Sequence, residues 1–200
     1  MEKITTYYIE MKSPSELKEI NNSLGLLIME CEFKQIEFSK FLNQLVGDNY
    51  QWFNWRYWSD EKWKEYIEND NLRTWVAYYK GSPAGYYEIE RQENGDTEII
   101  FLGLIPKFIG KGFGGYLISR ALKSAWEWEG AKRVWCHTCS NDHPKALNSY
   151  LARGLKIYKE EISENVQHKP KLNLHYKTAK FISKLLHYVA KKIDRVVAPK

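Results

Sequence analysis

No run of eighteen uninterrupted apolar residues occurs in the 200-residue chain, so no segment has the length of a membrane-crossing helix. The start, Met1-Glu2-Lys3-Ile4-Thr5, lacks the basic stretch and apolar core of a secretory leader, and a cytoplasmic location is expected. Cysteine is scarce. Cys31, Cys136 and Cys139 are an odd set that builds no disulfide framework and fits a reducing compartment. Internal repeats and low-complexity segments are also missing. Acid is nearly absent from residues 169–200, where nine Lys/Arg face the single Asp194, while the other 168 residues hold 21 Lys/Arg against 24 Asp/Glu. The body of the chain is thus slightly acidic, which suits a basic small-molecule or peptide partner and argues against nucleic acid.

What is present is apolar and aromatic. Hydrophobic residues make up 44% of the chain and aromatics 15%, with 8 Trp and 14 Tyr, enough to offset the ordering entropy of one core of ordinary domain size. Residues 4–10 are β-branched and aromatic and predict a strand that Ser13-Pro14 stops. Ser13 or Ser15 then caps a short helix. Phe33, Ile36, Phe38, Phe41, Leu42 and Leu45 recur at helical spacing from Glu32 to Val46, and Ser59-Asp60-Glu61-Lys62 marks a capped helix to about Glu68. A hairpin is expected from Thr74–Tyr79 and Ala84–Glu90 around Lys80-Gly81-Ser82-Pro83. Asn94-Gly95-Asp96 turns the chain into a strand from Thr97 to Ile105, apolar enough for burial on both faces. A helix from Gly112 to about Glu129, a strand from Arg133 to Thr138, a helix from Pro144 to Arg153 and a strand from Gly154 to Tyr158 complete the pattern.

The chemistry concentrates where a strand runs into Gly110-Lys111-Gly112-Phe113-Gly114-Gly115 and a helix begins. Backbone N–H groups at a helix start are unsatisfied and lie at the positive end of its dipole, and glycines let phosphate oxygens come close. This is a diphosphate cradle. Gly110, Gly112 and Gly115 also fit the G-x-G-x-x-G of a dinucleotide-binding fold. Against that occupant, the turn follows antiparallel hairpins instead of opening a βαβ unit, Pro106 and Phe108 intrude before the glycines, and no acidic residue ends the next strand.

The stretch Thr97 to Gly114, followed by Ala146-Leu-Asn-Ser-Tyr150-Leu-Ala-Arg-Gly154-Leu155, resembles the GCN5-related N-acetyltransferase (GNAT) superfamily. The first part is similar to its apolar strand, Pro, then Arg/Gln-x-x-Gly-x-Gly/Ala, and the second to its Ala-x-x-x-Tyr-x-x-x-Gly-Phe. The resemblance spans roughly residues 4–160. It implies an α/β fold of α+β type, a mixed, mostly antiparallel sheet flanked by helices, over residues 1–162, with 163–200 an addition. It also implies transfer of acetyl from acetyl-CoA to a primary amine, with Gly110, Lys111, Gly112, Phe113, Gly114 and Gly115 on the cofactor. Ile109 and His143 depart from the family pattern, which usually has Arg or Gln at the first position and often Asn at the second. Lys107 or Lys111 could supply the charge missing at 109, and His143 is a cap or a CoA contact.

In the mechanism so implied, Glu98 is the general base, with Glu88 or Glu90 as substitutes. It lies four residues before Leu102, roughly 13 Å along the strand, so a water relays the proton. Backbone N–H groups of Leu102, Gly103 and Leu104 hold the thioester oxygen, and Tyr150 protonates the departing thiolate. The alternative is a non-catalytic CoA-binding or partner-binding module. Cys136-His137-Thr138-Cys139 with His143 invites a zinc site, but strand alternation sends the two cysteines to opposite faces, so no metal is expected. Trp52, Phe53, Trp55, Tyr57, Trp58 and Trp63 are mostly packing, with Trp52, Trp55 and Arg56 candidates for acceptor contact. In the tail, Ile182, Leu185, Val189, Ile193 and Val196 oppose Lys177, Lys180, Lys184, Lys191 and Arg195. The spacing predicts a basic amphipathic helix that packs on the domain, joins a homodimer or touches a membrane surface.

Overall fold

The structure is a computed structural model that describes residues 3–164 apart from 49, 51 and 53, without the side chains of Asn54 and Arg56. The chain divides into two units at Glu164. The expected basic helix of the tail therefore lies outside the described residues, as do Phe53 and the Arg56 side chain.

Seven strands form one sheet: β1 (Lys3–Met11), β2 (Leu26–Glu30), β3 (Leu72–Tyr79), β4 (Ser82–Arg91), β5 (Asp96–Leu104), β6 (Arg133–Cys139) and β7 (Lys156–Glu164). Their order is β2-β3-β4-β5-β6-β1-β7. Every pairing is antiparallel except β5 with β6, which is parallel. The helices are α1 (Ile36–Gly47), α2 (Asp60–Glu68), α3 (Phe113–Glu127) and α4 (Ala146–Leu151).

Local chemistry explains most of the boundaries. Ser59 accepts from the Lys62 N–H and starts α2, with Asp60 and Glu61 in the first turn, where acid complements the helix dipole. Ser13 does the same for one 3₁₀ turn at Pro14–Glu16. Lys80 and Gly81 both have positive φ, 49° and 82°, the two-residue turn whose twist matches a right-handed hairpin. α1 begins at Ile36 rather than Glu32, because Cys31 still continues the β2 ladder through Thr74 O and Phe33 is exposed.

Three departures concern the sheet. β2 is a strand the sequence pattern conceals, because its solvent-facing positions are Leu27 and Met29 and the usual apolar–polar alternation is lost. The first strand, β1, is inserted between β6 and β7, with Tyr8 opposite both His137 and Lys159. The last strand runs on to Glu164, two residues past the expected domain limit at 162.

One apolar core lies between the sheet and α3, where Leu117, Ala121, Leu122 and Ala125 are fully buried against Ile9, Met11, Tyr87, Ile89 and Val134. A smaller one lies on the other face, where Leu42 and Val46 of α1 meet Val76, Tyr86 and Phe101. Met11 ties β1 into the first core: it has no exposed surface and its sulfur accepts from Trp126 Nε1 at 3.3 Å. Met11→Ala is expected to cost about 2–5 kcal/mol in chemical denaturation, with the midpoint shifted and the slope unchanged; a loss below 1 kcal/mol would remove β1 from the core.

Candidate active site

The site is built on a parting of two strands. β5 and β6 pair over three positions, Asp96↔Arg133, Thr97↔Val134 and Glu98↔Trp135. Beyond Glu98, β5 stays with β4 up to Leu104↔Gly85, while β6 stays with β1 up to Cys139↔Thr6. A gap therefore opens in the middle of the sheet.

Two local features set where the parting begins. Arg133 clamps the closed end, donating to Glu10 of β1 at 2.6 Å and Asp96 of β5 at 2.9 Å. Burial opposes its charge, but these hydrogen bonds prevail and raise its pKa. At the open end β5 carries an extra residue. Glu88 pairs with Phe101 and Ile89 with Ile99, which leaves Ile100 as a bulge that bends and twists the strand.

The bulge also re-aims the side chains. Ile99 and Leu102 pack with the α3-side core, whereas Phe101 packs with α1 and α2. Glu98, adjacent to Ile99 on the other face, looks toward the α1–α2 side. Simple alternation would have put Glu98 and Leu102 on one face; the bulge puts them on opposite faces. The expectation that this strand is buried on both sides is likewise corrected, since Ile100, Leu102, Gly103 and Leu104 are only half-buried along the gap.

Backbone donors line that gap. Ile105 N–H points to β4, donating to Ala84 O at 2.8 Å. By alternation the N–H groups of Leu104 and Leu102 point away from β4, into the gap. Gly103 permits the close approach of α1, as a Cβ there would lie 2.3 Å from Val46 Cγ1.

Past β5 a 3₁₀ turn at Pro106–Phe108 leads to Ile109 and the glycines. Gly110 and Gly112 have φ of 81° and 85°, a region that costs other residues strain. Gly112 caps α3 with no side-chain hydrogen bond, and the first turn, Phe113, Gly114 and Gly115, contains no acid. The helix start is open to an anion. A Cβ on Gly110 would meet nothing. Ile109 brings no donor, and Lys107 and Lys111 are exposed, with Lys111 Nζ lying 5.8 Å over the Phe108 ring.

β5, α3 and β6 do form a βαβ crossover, contrary to the sequence argument that none opens there. It is a single one, and β4 and β1 flank it antiparallel, so no doubly wound dinucleotide sheet results.

Glu98 sits where the gap begins, at the last β5–β6 pair, with 14% of its side chain exposed and His137 Nδ1 3.7 Å away. It accepts from Gln92 Nε2 at 3.1 Å, and Glu90 faces it across the strand pair. Burial, then the Glu98 charge, raises the Glu90 pKa. Glu88 is sealed in deeper, accepting from Tyr66 Oη at 2.7 Å and Thr74 Oγ1 at 3.2 Å. Burial outweighs these bonds and pushes its carboxyl up to about 7.

Tyr150 lies on the opposite side of the sheet, packed into the α3-side core. Burial, then the nearby Cys136 and Asp142, drives its pKa well above the ordinary value, so it keeps its proton at neutral pH. Asp142 closes the end of β6, accepting from Thr138 Oγ1 and Cys139 N–H. His143 lies in the turn before α4, its Nδ1 accepting from Lys145 N–H at 3.2 Å. Cys136 is buried in the core and Cys139 half-buried on the other face. Trp52 and Trp55 both pack on Phe101, with ring centres 5.0 and 5.1 Å away, which gives these rings a packing role.

One residue at the site escaped the sequence patterns. Arg153, at the end of α4, reaches Gly115, with Nη1 3.5 Å from where a Cβ would stand. Among the described residues its Nε and Nη1 have no hydrogen-bond partner, though both are buried. Its place just before Gly154 in the quoted motif was visible, but spacing alone does not say which way a side chain turns.

A mixed sheet that opens between its two parallel central strands, above an uncapped glycine-rich helix start, defines the GNAT type of fold. Solved structures share it. A GCN5-related N-acetyltransferase from Kribbella flavida superposes with a TM-score of 0.58 at 17% identity, covering 78% of this chain and 55% of that one. A Bacillus subtilis acetyltransferase in complex with CoA gives 0.51 at 23% identity, covering 67% and 78%. An aminoglycoside acetyltransferase from an uncultured soil metagenomic sample gives 0.55 at 18%, covering 74% and 98%. The family model "Acetyltransferase (GNAT) family" matches residues 39–155, and the chain belongs to that family. Among curated proteins, an "uncharacterized N-acetyltransferase" of Mycobacterium tuberculosis is 29% identical over 99 residues, half of this chain and 62% of that protein's length.

The Glu88 carboxyl makes stability depend on pH. Unfolded, it loses its proton near the ordinary carboxylate value; folded, near 7. Between the two the folded state holds the extra proton, so stability falls as pH rises, by about 3 kcal/mol across the window. In thermal unfolding from pH 4.5 to 8, Glu88→Gln is expected to flatten this fall relative to the parent protein. Parallel curves would mean that Glu88 titrates as an exposed carboxylate.

Proposed function

We propose that the protein is an N-acetyltransferase that passes acetyl from acetyl-CoA to a primary amine by direct attack. One observation carries the reading: the central gap joins two chemically different faces of the sheet. Glu98 stands on the α1–α2 side, Tyr150 on the α3–α4 side, and the Leu102 and Leu104 N–H groups lie between them.

The residues fit the donor. Gly110 to Gly115 offer uncapped backbone donors and the positive end of α3 to a diphosphate, while the gap accepts an extended pantetheine arm as a strand would be accepted. Acetyl-CoA supplies an activated acyl group and a thiolate leaving group. The Leu102 and Leu104 N–H groups hold the carbonyl oxygen and stabilise the charge that grows on it. An alkylamine has a pKa of about 10, so Glu98, directly or through water, takes the ammonium proton and frees the lone pair. Tyr150 gives its proton to the sulfur as the C–S bond breaks, and recovers one as the new amide nitrogen sheds the extra proton it carries after attack. The acceptor enters from the α1–α2 side, where Glu90 and Glu98 favour a cation. The aminoglycoside acetyltransferase from the soil metagenome shares this fold, which agrees with a basic amine as acceptor.

Release of free thiol from acetyl-CoA, followed with a panel of peptides, polyamines and small amines, tests the reaction. Acetyl-CoA binding without turnover across the panel would favour a non-catalytic module. With an active acceptor, Glu98→Gln and Tyr150→Phe are each expected to lower kcat by roughly 10²–10⁴-fold and to leave acetyl-CoA affinity unchanged; full turnover by both variants would overturn the assigned roles.

A further inference from the structure

The two oxygens of Glu98 have different neighbours. Oε2 accepts from Gln92 Nε2 at 3.1 Å, whereas Oε1 faces His137 Nδ1 at 3.7 Å. Gln92 is itself held, because its Oε1 accepts from Trp135 Nε1 at 3.3 Å. The orientation of that amide is forced. An indole N–H only donates and an ionised carboxylate only accepts, so the amide oxygen must meet Trp135 and the amide nitrogen Glu98. Glu90, across the strand pair, receives a longer amide contact from Asn69 Nδ2 at 3.4 Å.

Both ends of the bridge are anchored. Gln92 opens the turn between β4 and β5, donating from its N–H to Asp96 O at 2.8 Å and accepting at its carbonyl from Gly95 N–H at 3.0 Å. Its side chain therefore leaves a backbone fixed on both sides. Trp135 is the partner of Glu98 in the last β5–β6 pair. Its ring stacks with Tyr8, with 6.5 Å between centres, and the Arg133 guanidinium lies 5.7 Å from it. His137 stands two residues further along the same face of β6, beyond the last pairing with β5, with 48% of its side chain exposed. The imidazole thus reaches from Glu98 to solvent. Tyr8, opposite His137 on β1 with its ring 5.9 Å from the imidazole, donates its hydroxyl to Glu161 of β7 at 2.7 Å and leaves His137 to Glu98.

We infer that Gln92, braced by Trp135, is a positioning residue that fixes Glu98 Oε2 and presents Oε1 to the acceptor amine, and that His137 carries the proton from Oε1 out to solvent. The inference rests on the reading of Glu98 as the base. A carboxylate free to rotate presents its oxygens in many directions, and a misplacement of about 1 Å can cost on the order of 10²-fold in rate. The protons balance. Oε1 takes one from the ammonium and passes it to Nδ1 of the neutral imidazole, and the imidazolium releases one to water, which restores carboxylate and imidazole for the next turnover.

The test uses an amine that the parent protein acetylates, with Gln92→Met and His137→Ala made singly and each combined with Glu98→Gln. Each single variant is expected to lower kcat by roughly ten- to a hundred-fold and to leave the acceptor KM unchanged. Added imidazole should restore rate to His137→Ala in proportion to its concentration and do nothing for Gln92→Met. In the Glu98→Gln background neither substitution should lower the rate further, as action through Glu98 requires. Independently of turnover, the Trp135 indole N–H should exchange with solvent faster in Gln92→Met than in the parent protein; an unchanged rate would refute the brace. If Glu98→Gln is impaired, a single variant that keeps the parent kcat, or whose loss adds to that of Glu98→Gln, refutes the role of its residue while the base stands. Full turnover by Glu98→Gln refutes both readings.

Discussion

The site depends on a single constraint: β5 and β6 stay together for three residue pairs and no further. Backbone donors and acceptors in a sheet interior normally have partners, and each one left dry costs about 1–3 kcal/mol. A sheet that parts in its middle therefore needs the parting enforced from outside. Arg133 holds the closed end through β1 and β5 together, and the Ile100 bulge turns β5 away at the other. Beyond the bulge the two strands follow different neighbours. What remains is an internal edge, protected from the strand pairing that exposed edges invite because it is narrow and flanked by full ladders.

From this parting follow the other properties of the site. The bulge that opens the gap also puts Glu98 and Leu102 on opposite faces, so Glu98 and the α4 residue Tyr150 lie on different sides of the sheet. The strand that opens also delivers the chain straight into the glycine turn, with only one 3₁₀ turn between Leu104 and Ile109. In the proposed reading, consecutive segments serve the acyl end and the diphosphate end of one ligand. Positioning of this kind needs no large motion and turns a bimolecular encounter into a pre-oriented one.

Sequence patterns revealed what is encoded locally. Ser59 at a helix start, Lys80-Gly81 in a hairpin and Gly110/Gly112 before α3 are short-range instructions whose residues carry their own backbone preferences, and each is found as expected. Glu98 and Tyr150 were legible as candidates because they fall in a patterned stretch. What the patterns concealed is non-local or compensated. β2 was hidden by exposed Leu27 and Met29, which remove its alternation. The insertion of β1 between β6 and β7 is a choice of neighbour that β1 shares with any apolar strand of similar length. The bulge adds one residue to one strand of a pair, which no single strand can announce. Arg153 ends the expected helix, and spacing alone does not show that two of its guanidinium nitrogens lack an acceptor among the described residues.

The central claim is that the gap and the glycine turn receive one CoA ligand through backbone N–H groups. Amide hydrogen exchange, resolved by residue and compared with and without saturating CoA, addresses those groups themselves. The account predicts new protection at Leu102, Leu104 and the turn from Gly110 to Gly115, with little change at Trp75 and Val76, which are paired with β2 on one side and β4 on the other. Unchanged exchange at Leu102 and Leu104, or protection confined to the α1–α2 surface, would contradict it.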